Sequence, residues 1–138
     1  MSLSYTEAFA KYGAKLTNQQ WSVSAFGSDG SLVVSLWQDW LKRGERKGTL
    51  VYTDTLSQWK GNVFGRSELQ RHLRAVQASG AAIKLVIAHP ASLADAAKVG
   101  QVADESEIKK TFSIREDIVG KLESFDDDTL FIVFARAG

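Results

Sequence analysis

Aromatic and cationic side chains lie close together in the segment QWKGNVFG, residues 58–65. Trp59 and Phe64 stand near its two ends, and Lys60 and Asn62 lie between them. Aromatic rings can stack on nucleobases, and a neighbouring cation can contact the phosphates that join the bases. This combination of residue types predicts nucleic-acid binding.

Cationic residues flank that segment on both sides. The glycine-punctuated segment LKRGERKG, residues 41–48, precedes it, and a helix predicted to start at Arg66 follows it. The first amides of such a helix can seat a phosphate, and Arg71 and Arg74 share one side of it because they are three residues apart. We therefore predict the following nucleic-acid contacts: Trp37, Arg43, Lys47, Trp59, Lys60, Asn62, Arg66, Arg71 and Arg74.

The same residues have a structural interpretation, and it stays open at this point. Trp59 and Phe64 can anchor a loop against the edge of the core, and the arginines can form a solvated helix face. Tryptophan, tyrosine and arginine also dominate protein interfaces. A protein-interaction or assembly protein, either a homodimer or a partner subunit, is therefore the alternative to nucleic-acid binding.

Two acidic residues suggest a further site. Asp39 and Asp54, predicted on neighbouring strands, could form a carboxylate pair that binds a metal or transfers protons. Basic residues close to Asp39 favour simple ion pairs instead, and these are Lys42, Arg43 and Arg46.

Other titratable residues indicate structural roles. The triplet Glu107-Ile108-Lys109 has the E-x-K spacing of many metal-dependent nucleases, but it lies in a polar stretch with helical composition rather than on a strand. His72 has Glu68 four residues before it, which predicts a local ion pair or hydrogen bond. His89 ends a predicted strand, where a cleft can form, although a structural role is favoured.

No nucleophile motif, P-loop or dinucleotide-binding loop is present in the sequence. We predict no catalytic residue, no metal site and no cofactor. Enzymatic activity stays open, and the sequence favours a binding role.

The stretch WSVSAFGSDGSLVVSLWQDW, residues 21–40, holds three of the four tryptophans. It predicts a hairpin with a two-residue type I′ turn at Asp29-Gly30. In that register Trp21 and Trp40 lie on the core side, whereas Trp37 rises from a face of serines. A shift of one residue would exchange part of this assignment.

The spacing of apolar residues and the helix-capping patterns predict the helices and strands that must position these residues. Ser4 and Glu7 form a capping box ahead of a first helix, and Ser67 with Gln70 is a candidate box ahead of a second. The expected architecture is α+β, a mostly antiparallel sheet of about five to six strands with two to three helices, in a single domain spanning 1–138. Beyond the hairpin, strands are predicted for 49–56, 82–88 and 129–135, and one or two short helices for 91–110. Residues 114–125 favour a strand through their glycine and alternation, and a helix stays open there.

Composition narrows the class of protein. The absence of cysteine excludes disulfides and cysteine metal sites and is typical of a cytoplasmic bacterial protein. Neither a signal peptide nor a membrane span is expected. The net charge of +1 hides a gradient, because residues 42–84 carry nine basic and three acidic side chains (+6) and residues 85–138 carry six and ten (−4). A basic middle segment fits an anionic partner.

Three short patterns carry a resemblance. W-S-x-S-A starts at Trp21, G-x-L-V-x-S-L-W-x-D runs from Gly30 to Asp39, and G-R-x-E-x-x-x-H-L runs from Gly65 to Leu73. Together they resemble small bacterial proteins and modules, of no named family, carried near mobile-element and restriction functions. The resemblance implies a genome-defence or mobile-element context and carries over no catalytic residue. With the residues above, it predicts a non-catalytic module that binds DNA or RNA.

Overall fold

A computed structural model describes residues 3–99, 101 and 108–137 of the chain. Within that part, the helices are α1 (Tyr5–Ala10), α2 (Val63–Ser79) and α3 (Leu93–Ala96). The strands are β1 (Ser24–Phe26), β2 (Leu32–Trp37), β3 (Lys42–Arg43), β4 (Leu50–Thr55), β5 (Ile83–Pro90), β6 (Lys110–Ile114), β7 (Ile118–Phe125) and β8 (Thr129–Arg136). No helix among these residues is both long and apolar enough to cross a bilayer.

The strands form one mostly antiparallel sheet in the order β1-β2-β5-β7-β8-β4-β3, and β6 also pairs with β5. The predicted α+β class is therefore confirmed, with eight strands in place of the five to six expected. The exception to the antiparallel arrangement is the parallel pair of β2 and β5. The chain passes through α2 between these two strands, which is the usual way to join parallel neighbours.

Strand β5 lies at the centre of two apolar clusters. Leu85 and Ile87 belong to the cluster on the face that also contains Leu73 of α2. Val86, between them in sequence, belongs to a second cluster with Phe9 of α1. This alternation places apolar residues on both faces, as the apolar run 82–88 predicts for a covered strand.

The hairpin has a different register from the predicted one. Ser24, rather than Ala25, pairs with Val34, and the loop between the strands has three residues because the Gly27 amide bonds to the Ser31 carbonyl. Gly30 takes the left-handed conformation, with φ of 85°, as in a three-residue loop that ends in a bulge. The shift of one residue turns the β1 side chains to the opposite faces of the sheet.

Helix α2 begins three residues earlier than predicted, at Val63. Its N-cap is Asn62, whose side-chain oxygen accepts a hydrogen bond from the Gly65 amide at 3.1 Å. The predicted capping box of Ser67 and Gln70 is wrong, since both residues lie inside the helix. The phosphate seat predicted at residues 65–67 is therefore also wrong, because the exposed amides belong to the turn that follows Asn62.

Several other predictions concern the ends and connections of the elements. The capping box of Ser4 and Glu7 is confirmed, and residues 114–125, predicted as strand, contain β7. The helical prediction for 91–110 is met in part by α3. Residues 102–107 lie outside the described residues, and so does Glu107 of the predicted E-x-K triplet.

The sheet curves strongly enough to bring distant strands together. In the sheet order, β2 and β4 are separated by β5, β7 and β8. A flat sheet would hold them about 19 Å apart, at about 4.8 Å per strand. Leu36 of β2 and Tyr52 of β4 nevertheless line the same small cavity. Curvature of the sheet thus creates a concave side, and a cleft opens where β2 and β4 approach each other.

Candidate functional site

All four tryptophans of the chain line one cleft of about 910 Å³. They are Trp21, Trp37, Trp40 and Trp59, and each is half-buried. Pockets that bind small molecules or cofactors have volumes of about 300–1,000 Å³ and are lined mostly by apolar and aromatic groups. The cleft therefore has the size and the lining of a binding site.

The cleft forms where β1 stops covering β2. Ser24 at the start of β1 pairs with Val34, whereas β2 continues to Trp37. Beyond Val34 one further backbone hydrogen bond, from the Ser35 amide to the Val23 carbonyl at 2.9 Å, joins the two chains. Residues 19–23 form one wall of the cleft. The segment 58–62, between β4 and α2, contributes the other side.

A carboxylate fixes two of the aromatic rings. The Oδ2 atom of Asp54 accepts hydrogen bonds from the Tyr52 hydroxyl at 2.5 Å and from the Trp59 indole Nε1 at 2.8 Å. Its Oδ1 atom accepts a third hydrogen bond from the Thr55 amide at 2.8 Å. Because a charged acceptor strengthens each of these bonds, Asp54 holds the rings of the β4 side in place.

The remaining rings are also held by neighbours. Trp40, just after β2, stacks on Tyr52 with ring centroids 6.5 Å apart and an angle of 17° between planes. The Nζ atom of Lys110 lies 5.4 Å from the ring centroid of Trp37, a cation–π geometry. Lys60 lines the cleft as well. The cleft thus combines aromatic surfaces with two cationic side chains.

These positions change the interpretation of the hairpin tryptophans. The sequence predicted that Trp21 and Trp40 belong to the core side and that Trp37 stands apart on a serine face. The structure brings all three to the same cleft with similar partial burial. The division fails because the cleft lies at the end of the strands, where side chains from both faces of β2 border the same space.

A buried polar layer lies next to the cleft. The Tyr5 hydroxyl donates a hydrogen bond of 2.6 Å to the Ser22 carbonyl. Burial raises the pKa of Tyr5, the Ser35 hydroxyl counteracts the rise by hydrogen bonding, and the nearby Glu68 carboxylate adds to it. Glu68 is only 2% exposed, and its Oε1 atom has no hydrogen-bond partner among the described residues.

His72 belongs to the same layer. Its Nδ1 atom is 2.8 Å from the Ser24 hydroxyl, so its hydrogen-bond partner is Ser24 rather than the predicted Glu68. Burial lowers the pKa of His72; the Glu68 carboxylate opposes this effect, and the Arg71 guanidinium reinforces it. A serine beside a histidine can act as a nucleophile, but Ser24 is 0% exposed and cannot meet a substrate. The pair is a structural hydrogen bond.

His89 is engaged at both ring nitrogens. Its Nδ1 atom lies 2.9 Å from the Gln38 amide oxygen, and its Nε2 atom lies 2.6 Å from the Ser113 hydroxyl. These contacts connect the end of β5 to β6 and to the turn after Trp37. His89 therefore supports the wall of the cleft, which is the structural role that the sequence favours.

The predicted carboxylate pair does not form. Asp39 is exposed in the turn after β2, whereas Asp54 lies in the cleft with the three donors described above. The prediction that basic residues pair with them is also wrong. Within the described part of the chain, the salt bridges are Arg74–Asp127 and Arg115–Asp117, and no group of three or more metal-ligating side chains is present.

The predicted nucleic-acid contacts divide into two groups. Residues at the cleft are Trp37, Trp59, Lys60 and Asn62. Residues that do not line it are Arg43 and Lys47, at β3 and the turn after it, and Arg66, Arg71 and Arg74, on α2. Among the latter, Arg74 is bound to Asp127 by a salt bridge of 2.7 Å. The sequence thus identified part of the cleft, and the other predicted contacts are basic residues that lie elsewhere.

Several residues of the cleft were missed by sequence reasoning. Tyr52 and Trp40 were assigned to a strand and to the core, and Lys110 and Phe112 were not considered as site residues. An aromatic residue just after a strand was the available signal for Trp40, whereas Tyr52 lies inside β4 and has no such signal. No local signal indicates Lys110, because it reaches the cleft through the pairing of β6 with β5.

Comparisons with known proteins do not assign a family. No protein-family model matches the chain, and no curated protein or solved structure matches it either. A functional proposal for this protein therefore rests on the chemistry of the cleft.

Proposed function

We propose that this protein is a nucleic-acid-binding module that takes an unpaired base into the tryptophan-lined cleft. The observation that carries the proposal is the convergence of all four tryptophans on one cleft. Stacking of a base on an aromatic side chain contributes about 1–3 kcal/mol and tolerates any base sequence. Several rings around one cavity suit a flat heteroaromatic ring better than a flexible aliphatic chain.

The positive charges at the cleft favour a ligand with an anionic backbone. Lys60 belongs to the segment before α2, and Lys110 belongs to β6, so the two cations come from different walls. Lysines contact phosphates without reading the base sequence. A base held between the rings would leave its flanking phosphates near these side chains.

Side-chain amides supply groups that can recognise a base edge. Gln19, Gln20 and Gln58 line the cleft. An amide offers both a donor and an acceptor, and glutamine can form paired hydrogen bonds with adenine. The cleft therefore offers stacking, charge and edge recognition together, as single-stranded recognition requires.

A cationic ligand fits the same rings less well. Aromatic cages for quaternary ammonium groups use the negative faces of the rings. Here Asp54 is the only carboxylate among the described residues that line the cleft, and three donors already occupy it. Lys110 also lies over Trp37, so positive charge is already present.

Protein interaction is the second candidate function. The observation that favours it is the exposure of Val63 and Phe64 at the start of α2, where apolar surface faces solvent. Exposed apolar patches often mark protein interfaces. The genome-defence or mobile-element context implied by the sequence resemblance stays a prediction for either function.

Fluorescence anisotropy of labelled single-stranded DNA and RNA, of about eight nucleotides, tests the first function. We expect binding at low salt that is stronger for single strands than for a fully paired duplex. Trp37→Ala should weaken it about tenfold, since one stacking surface is lost. Phe131→Ala, which removes an exposed ring that does not line the cleft, is the matched control.

Two results would overturn the proposal. One is the absence of salt-sensitive binding to either nucleic acid at low salt. The other is equal affinity of wild type and Trp37→Ala with both proteins folded by thermal melting. Failure to bind, together with dimerisation that Phe64→Ser abolishes, would instead support the protein-interaction alternative.

A further inference from the structure

An aromatic surface continues from the cleft out to solvent. Trp21 lines the cleft, and its ring centroid lies 5.7 Å from that of Phe64, with 43° between the planes. Phe64 is 69% exposed, which is unusual for a phenylalanine. Its ring therefore offers a stacking surface that adjoins the cleft wall and stands open to solvent.

The backbone that carries these two rings is fixed. The Asn62 side chain donates a hydrogen bond of 2.9 Å to the Trp21 carbonyl and accepts one from the Gly65 amide. A Cβ atom at Gly65 would clash with the same Trp21 carbonyl oxygen, so only glycine allows this close approach. The start of α2 is thus clamped to the Trp21 segment, and the rings need little ordering when a ligand binds.

We propose that Trp21 and Phe64 form a second stacking subsite, which binds the base next to the one held in the cleft. This inference rests on the proposed function and makes it more specific, because the protein then contacts at least two consecutive nucleotides of a single strand. Lys60, in the same segment as Phe64, supplies a cation for the phosphate between the two bases.

Continuity with the cleft favours a base over a protein partner at this position. Trp21 belongs to both surfaces, so a strand that enters the cleft passes Phe64 as it leaves. Stacked bases on successive aromatic residues are the common arrangement in proteins that bind single strands. Docking of a protein on the apolar surface of Phe64 is one outcome of the test below.

The test compares dinucleotide probes that differ only in the second base. One probe carries a base at both positions, a second has an abasic site on the 5′ side, and a third has an abasic site on the 3′ side. All three probes retain the same phosphate. We expect wild type to bind the complete probe about tenfold more tightly than one of the two abasic probes, as expected for one stacked base.

Variants at two neighbouring exposed positions test whether the Phe64 ring causes the preference for the complete probe. Phe64→Ala should reduce the ratio of the two affinities, complete probe to abasic probe, to about one and leave the affinity for the abasic probe unchanged. Phe64→Trp should restore the ratio. Val63→Ala is the matched control, since Val63 is 56% exposed and has no ring, and it should keep the ratio.

Each result has a distinct meaning. If wild type binds none of the probes, the proposed function fails. If wild type binds complete and abasic probes equally, the cleft stands and the second subsite is overturned. The subsite is also overturned if Val63→Ala lowers the ratio as much as Phe64→Ala does. It is overturned, too, if Phe64→Ala leaves the ratio unchanged but alters dimerisation, because Phe64 then serves a protein interface. The wild-type comparison decides even where a variant does not fold.

Discussion

The indole nitrogen of Trp59 donates a hydrogen bond of 2.8 Å to the carboxylate of Asp54. The same carboxylate oxygen accepts the Tyr52 hydroxyl, so a single atom orients two rings of the cleft. Asp54 therefore acts as a positioning residue, and the aromatic wall depends on its charge and on its two acceptor oxygens.

Asp54→Asn tests this dependence. The amide keeps the shape but has one acceptor oxygen, so the Thr55, Tyr52 and Trp59 donors must compete for it. We expect the free energy of unfolding to fall by about 1–3 kcal/mol and oligonucleotide affinity to fall as the rings lose their orientation. Chemical denaturation and anisotropy at a temperature far below the melting point measure the two effects separately.

Asp117→Asn is the control for that substitution. Asp117 pairs with Arg115 at an exposed position that does not line the cleft, and exposed ion pairs contribute little to stability. We expect little change in stability and none in affinity. Equal affinity of Asp54→Asn and wild type would show that the carboxylate does not position the rings for binding.

The hairpin shows which part of the fold was predictable and which was not. The alternation around Asp29-Gly30 correctly predicted two antiparallel strands. It could not fix their register, because a two-residue turn and a three-residue loop both favour aspartate and glycine at these positions. The contact that defines the observed loop is the hydrogen bond from the Gly27 amide to the Ser31 carbonyl, which the residue types alone do not predict.

His72 is expected to make stability depend on pH. Burial depresses its pKa in the folded state, so the unfolded chain binds a proton first as pH falls below about 6.5. The free energy of unfolding should therefore decrease as pH falls from about 6.5 towards the depressed pKa, and then level off. Chemical denaturation at intervals between about pH 7.5 and pH 5 measures this slope.

His72→Gln should flatten the dependence in that window, since an amide can still bond to Ser24 but does not titrate. The carboxylates with lowered pKa values act at more acidic pH; for Asp117, beside Arg115, the pKa is about 2. An unchanged slope in His72→Gln would contradict the assignment.

Asn62 is expected to stabilise the protein by its conformation and by its side chain. It has a left-handed φ of 54° and bonds to Trp21 and Gly65. Asn62→Gly keeps the conformation and loses the bonds, so we expect a loss of about 1 kcal/mol. Asn62→Ala also carries the strain of a left-handed alanine, which adds about 1–2 kcal/mol. An alanine variant as stable as the glycine variant would contradict this account of the cap.

The residue types of the site could be predicted from the sequence, but the way in which the fold brings them together could not. Trp59 and Lys60 adjoin in sequence, so their joint placement followed from local composition. Tyr52 and Trp37 meet at the cleft only because the sheet curves between β2 and β4. That curvature arises from packing among many strands, and no short pattern encodes it. The helix arginines lie outside the cleft for the same reason, and Arg74 is bonded to Asp127 instead.

Lys60 is expected to contribute to binding through charge alone. If it contacts one phosphate, Lys60→Gln should weaken binding of all single strands by a similar factor and reduce the slope of log affinity against log salt by roughly 1. Lys121→Gln removes an equal charge at an exposed position of β7 that does not line the cleft. It should leave the slope unchanged, because a charge far from the bound strand releases no counterion. Anisotropy titrations over a range of salt concentrations give both slopes. Equal slopes for the two variants would mean that the phosphates follow a different path across the protein.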